Sequence, residues 1–388
     1  MSNSFLDLTI STRYVPGWGT WEGIRELAQN AIDREREDVP GNDDVARVWS
    51  AHPARIDYDE TDRVLTISSP DTIIEKSTLI LGEGTKREGG RTIGQHGEGY
   101  KLAMIALLRN GHTLEIDNGN QRWEASFAFK QNLKTEMLRV TFRKGNPGGK
   151  DLVFKIGEVT ADQWNEVCEK IRRLHDSGEA IRGTGGFLLT DASERGRLYV
   201  GGIYVTDLSS KFMYGYDFDP DRLHLDRDRS TVDSFNLEWE CSTLHSGTGE
   251  KGLDLAVQSI YMDAPDISRL TATSSRLVEQ VAETVYGRFR GQFGDRAYPV
   301  TYEWEAQQIK ARFKTVKPVI VGDVMKETIK KSSSFLRWLT GQDEIPVDTP
   351  ETILRKFLER NMEYFSQVLA DKFDSEVIER CVKEEWSI

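Results

Sequence analysis

The chain has 388 residues, with 51 Lys+Arg against 63 Asp+Glu and a formal net charge of −12. That length suits two or three domains with sizeable cores, and the acidic balance argues against a clamp on nucleic-acid phosphates, leaving nucleic acid only through a partner or a local basic patch. Cys168, Cys241 and Cys381 are far apart, which excludes a disulfide framework and a CxxC zinc site; no apolar run reaches the ~18 residues of a membrane span and MSNSFLDLTI lacks signal-peptide features, so a cytoplasmic protein without a membrane partner is expected.

The opening segment runs to Gly19. From Thr20 to about Asp38 the apolar residues Ile24, Leu27, Ala28, Ala31 and Ile32 recur at three- and four-residue spacing, which predicts a helix ended by Pro40, Gly41 and Asn42. Short strands are expected at Ala54–Tyr58 and Arg63–Ser68, joined by a hairpin turn. Leu81 to Gly99 then holds glycines at 82, 84, 89, 90, 94, 97 and 99 and leads into an apolar helix, Tyr100–Arg109. Strand patterns follow near Thr113–Asp117, Arg122–Phe129 and Leu138–Phe142, and Asn146–Gly149 is a turn. Thr160–Gln163 has capping-box form and starts a helix ending near His175.

Strands at Gly186–Leu189, Arg197–Val200 and Ile203–Val205 open a second region. Helices at about 251–264 and 272–290 follow, then Tyr298–Val300, a helix over 302–313 and Pro318–Val321, which together suggest a further α/β unit. Ser332–Pro346 reads as a linker. Beyond Thr349-Pro350-Glu351, Leu354, Phe357, Leu358, Met362, Phe365, Val368 and Leu369 form one helical stripe, expected to pack on its own core. The expected domains are 1–180, 181–330 and 331–388.

Glu26, Asn30 and Asp33 stand at i, i+4 and i+7 on the first helix, so they share a face. Two carboxylates and an amide in line on a helix that anchors a sheet are costly unless they share a ligand. An amide oxygen with phosphate oxygens is a hard ligand set suited to Mg²⁺, and a carboxylate one turn away could deprotonate a water attacking phosphorus. The plain alternative is an ordinary solvated helix face. Ile93-Gly-Gln-His-Gly-Glu-Gly-Tyr-Lys101 places glycines directly before a helix, where backbone N–H groups and the positive end of the helix dipole can meet phosphate, with Lys101 adding a fixed charge. The spacing fits neither the P-loop nor GxGxxG. Trp18 and Trp21, one turn apart, read as a hydrophobic staple, and the six histidines form no zinc motif.

In this order, Arg25-Glu-Leu-Ala-Gln-Asn-Ala-Ile-Asp33, the strand Leu65–Ser68, Leu81-Gly-Glu-Gly-Thr-Lys86 and Ile93–Gly99 resemble the GHKL ATPases. That superfamily includes DNA gyrase B, the ninety-kilodalton heat-shock chaperones, sensor histidine kinases and the MutL proteins; the nearest likeness is to the chaperone and MORC branches. The resemblance covers about residues 20–110. It implies the Bergerat fold, an α+β two-layer sandwich with helices on one face of a mixed sheet, followed here by a second α/β domain and a helical C-terminus. It also implies Mg²⁺-dependent ATP binding and slow hydrolysis, lid closure and an ATP-dependent homodimer acting on an unspecified protein client.

By position, Glu26 matches the general base, Asn30 the Mg²⁺ ligand and Asp33 the second acidic site of that helix. Gly94, Gln95, His96, Gly97, Glu98, Gly99, Tyr100 and Lys101 match the phosphate loop and its helix, and Thr85 matches a hydroxyl near the adenine. The family's Asp-x-Gly-x-Gly after the second strand is replaced by Ser69-Pro-Asp-Thr-Ile73. Ser69 aligns with the adenine-binding aspartate; alternatively Asp71 takes the role after a local backbone shift, and Asp71 is the preferred of the two. Farther on, Tyr199–Val205 and Leu223–Asp233 are similar to the chaperones' middle segment, making Arg229 the candidate γ-phosphate sensor, with Arg227 and then Lys211 behind it. The same charges can equally pair among themselves as a solvated cluster. The alternative function is a nucleotide-gated interaction protein that binds ATP without hydrolysing it.

Overall fold

The computed structural model describes residues 4–37, 53–79, 99–223, 225, 234–273, 276–313 and 315–340, and parts of 354–378. It divides into two compact units, Met1–Leu244 and His245–Ile388.

The first unit opens with β1 (Ser4–Ser11), α1 (Thr20–Glu37), β2 (Arg55–Asp59), β3 (Val64–Ser69) and α2 (Gly99–Arg109). β4 (Thr113–Asn118), β5 (Gln121–Lys130), β6 (Thr135–Lys144), β7 (Leu152–Gly157) and α3 (Ala161–Lys170) follow. The strands form one seven-stranded sheet in the order β1-β6-β5-β4-β7-β3-β2. Every pairing in it is antiparallel, which corrects the expected mixed sheet. β3 and β4, linked through α2, do run in the same direction. β7 lies between them and pairs antiparallel with both, so their parallel relation never becomes a hydrogen-bonded ladder.

One face of this sheet is apolar. Leu65, Ile67, Leu114, Ile116, Trp123, Val140, Phe154 and Ile156 are buried there in one core with Ile24, Leu27, Ala28, Ala31 and Ile32 of α1, Met104 and Leu107 of α2 and Val167 of α3. The other face carries charges paired across strands: Asp7 with Arg139 and Lys130, Asp117 with Arg122 and Lys155, Glu124 with Arg143. A sheet packed on one side and solvated on the other is the usual condition of an antiparallel sheet. Trp18 and Trp21 are both buried, Trp21 in this core and Trp18 in a separate cluster with Leu102 and Ala106 of α2. α3 carries the full capping box, with Thr160 Oγ1 accepting from Gln163 N and Gln163 Oε1 accepting from Thr160 N.

A second sheet in the same unit has the order β11-β10-β12-β9-β8, from β8 (Ala180–Gly183), β9 (Gly186–Leu189), β10 (Arg197–Val200), β11 (Ile203–Asp207) and β12 (Gly215–Phe218). Only β10 and β12 are parallel. Arg172 is tied to the buried Asp217 at 2.6 Å, and the other oxygen of Asp217 accepts from Gly202 N. α4 (Ser234–Ser246) follows.

The second unit contains α5 (Leu253–Tyr261), α6 (Arg276–Phe293), β13 (Ala297–Val300), α7 (Glu303–Arg312), β14 (Lys317–Ile320), α8 (Asp323–Ile329) and α9 (Ser333–Thr340). β13 and β14 are parallel, joined through α7 as a β-α-β unit. Lys326 and Glu305 form a buried ion pair at 2.7 Å. α9 corrects the expected linker Ser332–Pro346 as far as Thr340, the rest of it lying outside the described residues: Ser332 Oγ caps Phe335 N, and the buried Phe335 ring packs on Tyr286, Tyr298 and Trp338.

The C-terminal stripe is also revised. Ser366 caps a new helix, α10 (Gln367–Phe373). Leu358 and Ala370 are buried with Leu354, Phe365 and Phe373 against them, whereas Phe357, Met362, Val368 and Leu369 are exposed.

Candidate functional site

α1 and α2 lie side by side and antiparallel. Near the start of α1, a Cβ on Gly23 would stand 2.8 Å from Leu107 Cγ; a turn and more later, a Cβ on Gly99 would stand 2.8 Å from Glu26 Oε2 and 3.2 Å from Asn30 Nδ2. Two glycines therefore let the helices close to a separation that no side chain permits. His112 fastens the opposite end of the pair: burial pushes its imidazole below the usual value, so the neutral ring donates from Nδ1 to Gly157 O and accepts at Nε2 from Thr20 Oγ1.

This close approach sets the first residue of α2 against Glu26 and Asn30. The N-terminal end of a helix carries unpaired N–H groups and the positive end of its dipole. Glu26, 8% exposed, also accepts from Arg25 Nη2 at 3.2 Å, and the Arg25 guanidinium lies 5.3 Å over the Trp18 ring. Asp33 is buried one turn beyond Asn30. Asn30 Nδ2 is buried without a hydrogen-bond partner among the described residues, as are both amide atoms of Gln29.

Ser69 ends β3. Along this strand Leu65, Ile67 and Ser69 are the buried alternation, so Ser69 faces the helix layer. Asp71 does not: it is exposed, has φ +47° and donates its N–H to Asp151 Oδ1 at 2.9 Å. Asn118 holds the next residues, accepting from Ile74 N at 2.9 Å and donating to Ile74 O at 2.8 Å. Asn118 and Asp151 thus fix the wall after β3, a role that single polar residues at strand ends do not announce in the sequence.

Tyr100 stacks on Phe154 at 5.5 Å, on the apolar face of the sheet. Lys101 is fully buried and its ammonium donates to Thr78 O at 3.3 Å, tying α2 to the short helical turn Lys76–Leu79. Lys211 is exposed in the turn after β11. Thr85, Gly94, Gln95, His96, Gly97, Glu98, Arg227 and Arg229 lie outside the described residues. An open cleft of about 420 Å³ sits at the end of the sheet where β3 finishes, lined by Ile73, Lys76, Asn118, Gln121, Trp123 and Gly149 among others; the sequence did not suggest it, and none of the expected site residues lines it.

The donor set fits Mg²⁺ in a limited sense. Among the described residues no group of three or more His, Cys, Asp or Glu could hold a metal. Mg²⁺ bound with substrate phosphates needs only one or two protein ligands and keeps its waters; the Asn30 amide carries one hard oxygen that could serve, although the amide atom beside Gly99 is Nδ2. No protein-family model matches the chain, and no curated protein matches it. Among the described residues no helix is long and apolar enough to cross a membrane.

Proposed function

We propose that the first unit binds ATP with Mg²⁺ and hydrolyses it slowly, in the manner of the GHKL ATPases and their Bergerat fold. The observation that carries this reading is the contact of Gly99 with both Glu26 and Asn30. Three residues singled out from two separate motifs meet at one point, at the one end of α2 that favours an anion. An ordinary solvated helix face has no reason to place there a buried carboxylate and an amide nitrogen without a partner among the described residues.

In this reading Asn30 would hold Mg²⁺, which supplies charge neutralisation to the triphosphate when bound. The α2 N-terminus faces the phosphates. Glu26 accepts the proton of a water attacking the γ-phosphorus in line with the departing ADP oxygen, and Arg25 keeps that carboxylate in place. General-base assistance of this type contributes about 10²–10⁴-fold, positioning and charge most of the rest. ATP binding would govern lid closure and a homodimer contact, through which an unspecified protein client is engaged.

The test is Mg²⁺-dependent phosphate release from ATP by the wild type and Glu26→Ala, with binding of a non-hydrolysable analogue in parallel. Release that disappears in Glu26→Ala while binding persists is the expected result. Binding without release by the wild type would replace hydrolysis with nucleotide-gated interaction, and no binding would end the nucleotide reading.

A further inference from the structure

We propose that Trp18 and Arg109 are positioning residues for the reaction at Glu26, and that they act through Arg25. This rests on the hydrolytic reading above and concerns what holds its base. Trp18 stands just before α1 and packs on Leu102 and Ala106 of α2, with Val15 beside it. Its ring has a further neighbour. The Arg25 guanidinium lies 5.3 Å over the ring centroid, and Arg25 Nη2 donates to Glu26 Oε1 at 3.2 Å. All three residues are buried. A guanidinium laid on an aromatic face has its planar fork aimed by that face. The ring therefore sets where Arg25 points, and Arg25 sets one oxygen of the carboxylate.

The loop that carries Trp18 is anchored from the far end of α2. Arg109, the last residue of that helix, donates from Nη1 to Thr12 O at 3.1 Å and to Tyr14 O at 2.9 Å. From Nη2 it donates to Val15 O and to Trp18 O, both at 2.8 Å. Asn110 Nδ2 adds a bond to Trp18 O at 3.4 Å, and Trp18 N donates to Val15 O at 3.1 Å. Val15 has φ +44°, a left-handed conformation that a β-branched residue keeps only where its surroundings impose it. A loop that merely joined β1 to α1 would need none of this. α2 thus fixes the two carboxylate oxygens from its two ends: Gly99 stands against Oε2, and Arg109 reaches Oε1 by way of Trp18 and Arg25.

A tryptophan that only fills the core makes a different demand. Its loss would cost the same whether or not Arg25 is present, because contacts with Leu102 and Ala106 do not involve Arg25. A ring that acts through Arg25 has nothing left to position once Arg25 is gone. Coupling between the two substitutions separates these cases.

The experiment is steady-state phosphate release from ATP with Mg²⁺ by the full chain, using the wild type, Trp18→Phe, Trp18→Leu, Arg25→Ala and the double variant Trp18→Leu with Arg25→Ala. Trp18→Leu is expected to lower kcat by about tenfold to a hundredfold with KM within about threefold of wild type, as for a misplaced reacting group. Trp18→Phe keeps an aromatic face and should hold kcat within about threefold of wild type. Arg25→Ala lowers kcat at least as far as Trp18→Leu, and the double variant is no slower than Arg25→Ala. If Trp18→Leu does not fold, Arg109→Lys serves, since it keeps the charge but cannot span four carbonyls: its kcat falls, and falls no further when Arg25→Ala is added. Losses that multiply in the double variant, or an unchanged kcat in Trp18→Leu or Arg25→Ala, overturn the inference and leave the hydrolytic reading standing. A wild type that releases no phosphate overturns the hydrolytic reading and this inference with it.

Discussion

Gly99 shows how much a missing side chain can decide. A methyl group there would press on Glu26 Oε2 at 2.8 Å and on Asn30 Nδ2 at 3.2 Å, distances at which one partner has to move. Both partners are side-chain ends, so Gly99→Ala should leave the fold intact and displace the carboxylate and the amide. A displacement near 1 Å costs on the order of 100-fold in turnover. The expected outcome is phosphate release reduced by that order with the thermal unfolding midpoint retained; unchanged turnover would separate Glu26 and Asn30 from the chemistry. Glu26, Asn30 and Asp33 were legible because helical spacing puts them on one face. The end of β3 at Ser69 was not, since an alternating strand pattern does not say at which residue the strand stops. The pairing of Ser69 with Leu152 on β7 marks that end, and that contact is 83 residues distant in sequence.

Local periodicity made α1, α2, α3 and the central strands readable, because each repeats its apolar positions over enough residues to identify its period. β1 and β7 were not read. Among the described residues β1 is an edge strand paired with β6 alone, and half its length is exposed or partly exposed before the buried Leu8 and Ile10. Its attachment depends on charge: the Arg139 guanidinium bonded to Asp7, with Lys130 beside it, lowers that carboxyl to about 2. A carboxylate with a depressed folded-state pKa stabilises the fold above its unfolded value near 4 and loses that contribution as pH falls towards 2. Solvent screening on this face reduces what the pair contributes, so Asp7→Asn should cost about 1 kcal/mol at pH 7, with the difference from wild type shrinking towards zero between pH 4 and pH 2. Urea unfolding across that range checks it; a difference independent of pH would assign the loss to packing. α9 was mistaken for a linker because Ser332–Ser334 has linker composition, yet Ser332 is a helix cap and Phe335 a core residue.

Each of the two units has its own apolar core, one built between a sheet and helices α1 to α3, the other around α6 and the β13–β14 pair. The net charge of −12 suits neither core nor site in particular; it disfavours a nucleic-acid backbone as the principal partner and leaves the small anion-favouring end of α2 as a local exception. The proposed function depends above all on this end of α2, with Glu26 and Asn30, being a metal-nucleotide site. The most direct measurement is equilibrium binding of a non-hydrolysable ATP analogue to wild type and Asn30→Ala, each with Mg²⁺ and with a chelator. The expected result is binding by the wild type that is strengthened by Mg²⁺, and loss of that strengthening in Asn30→Ala. Binding equally indifferent to Mg²⁺ and to Asn30, or no binding by the wild type, would contradict it.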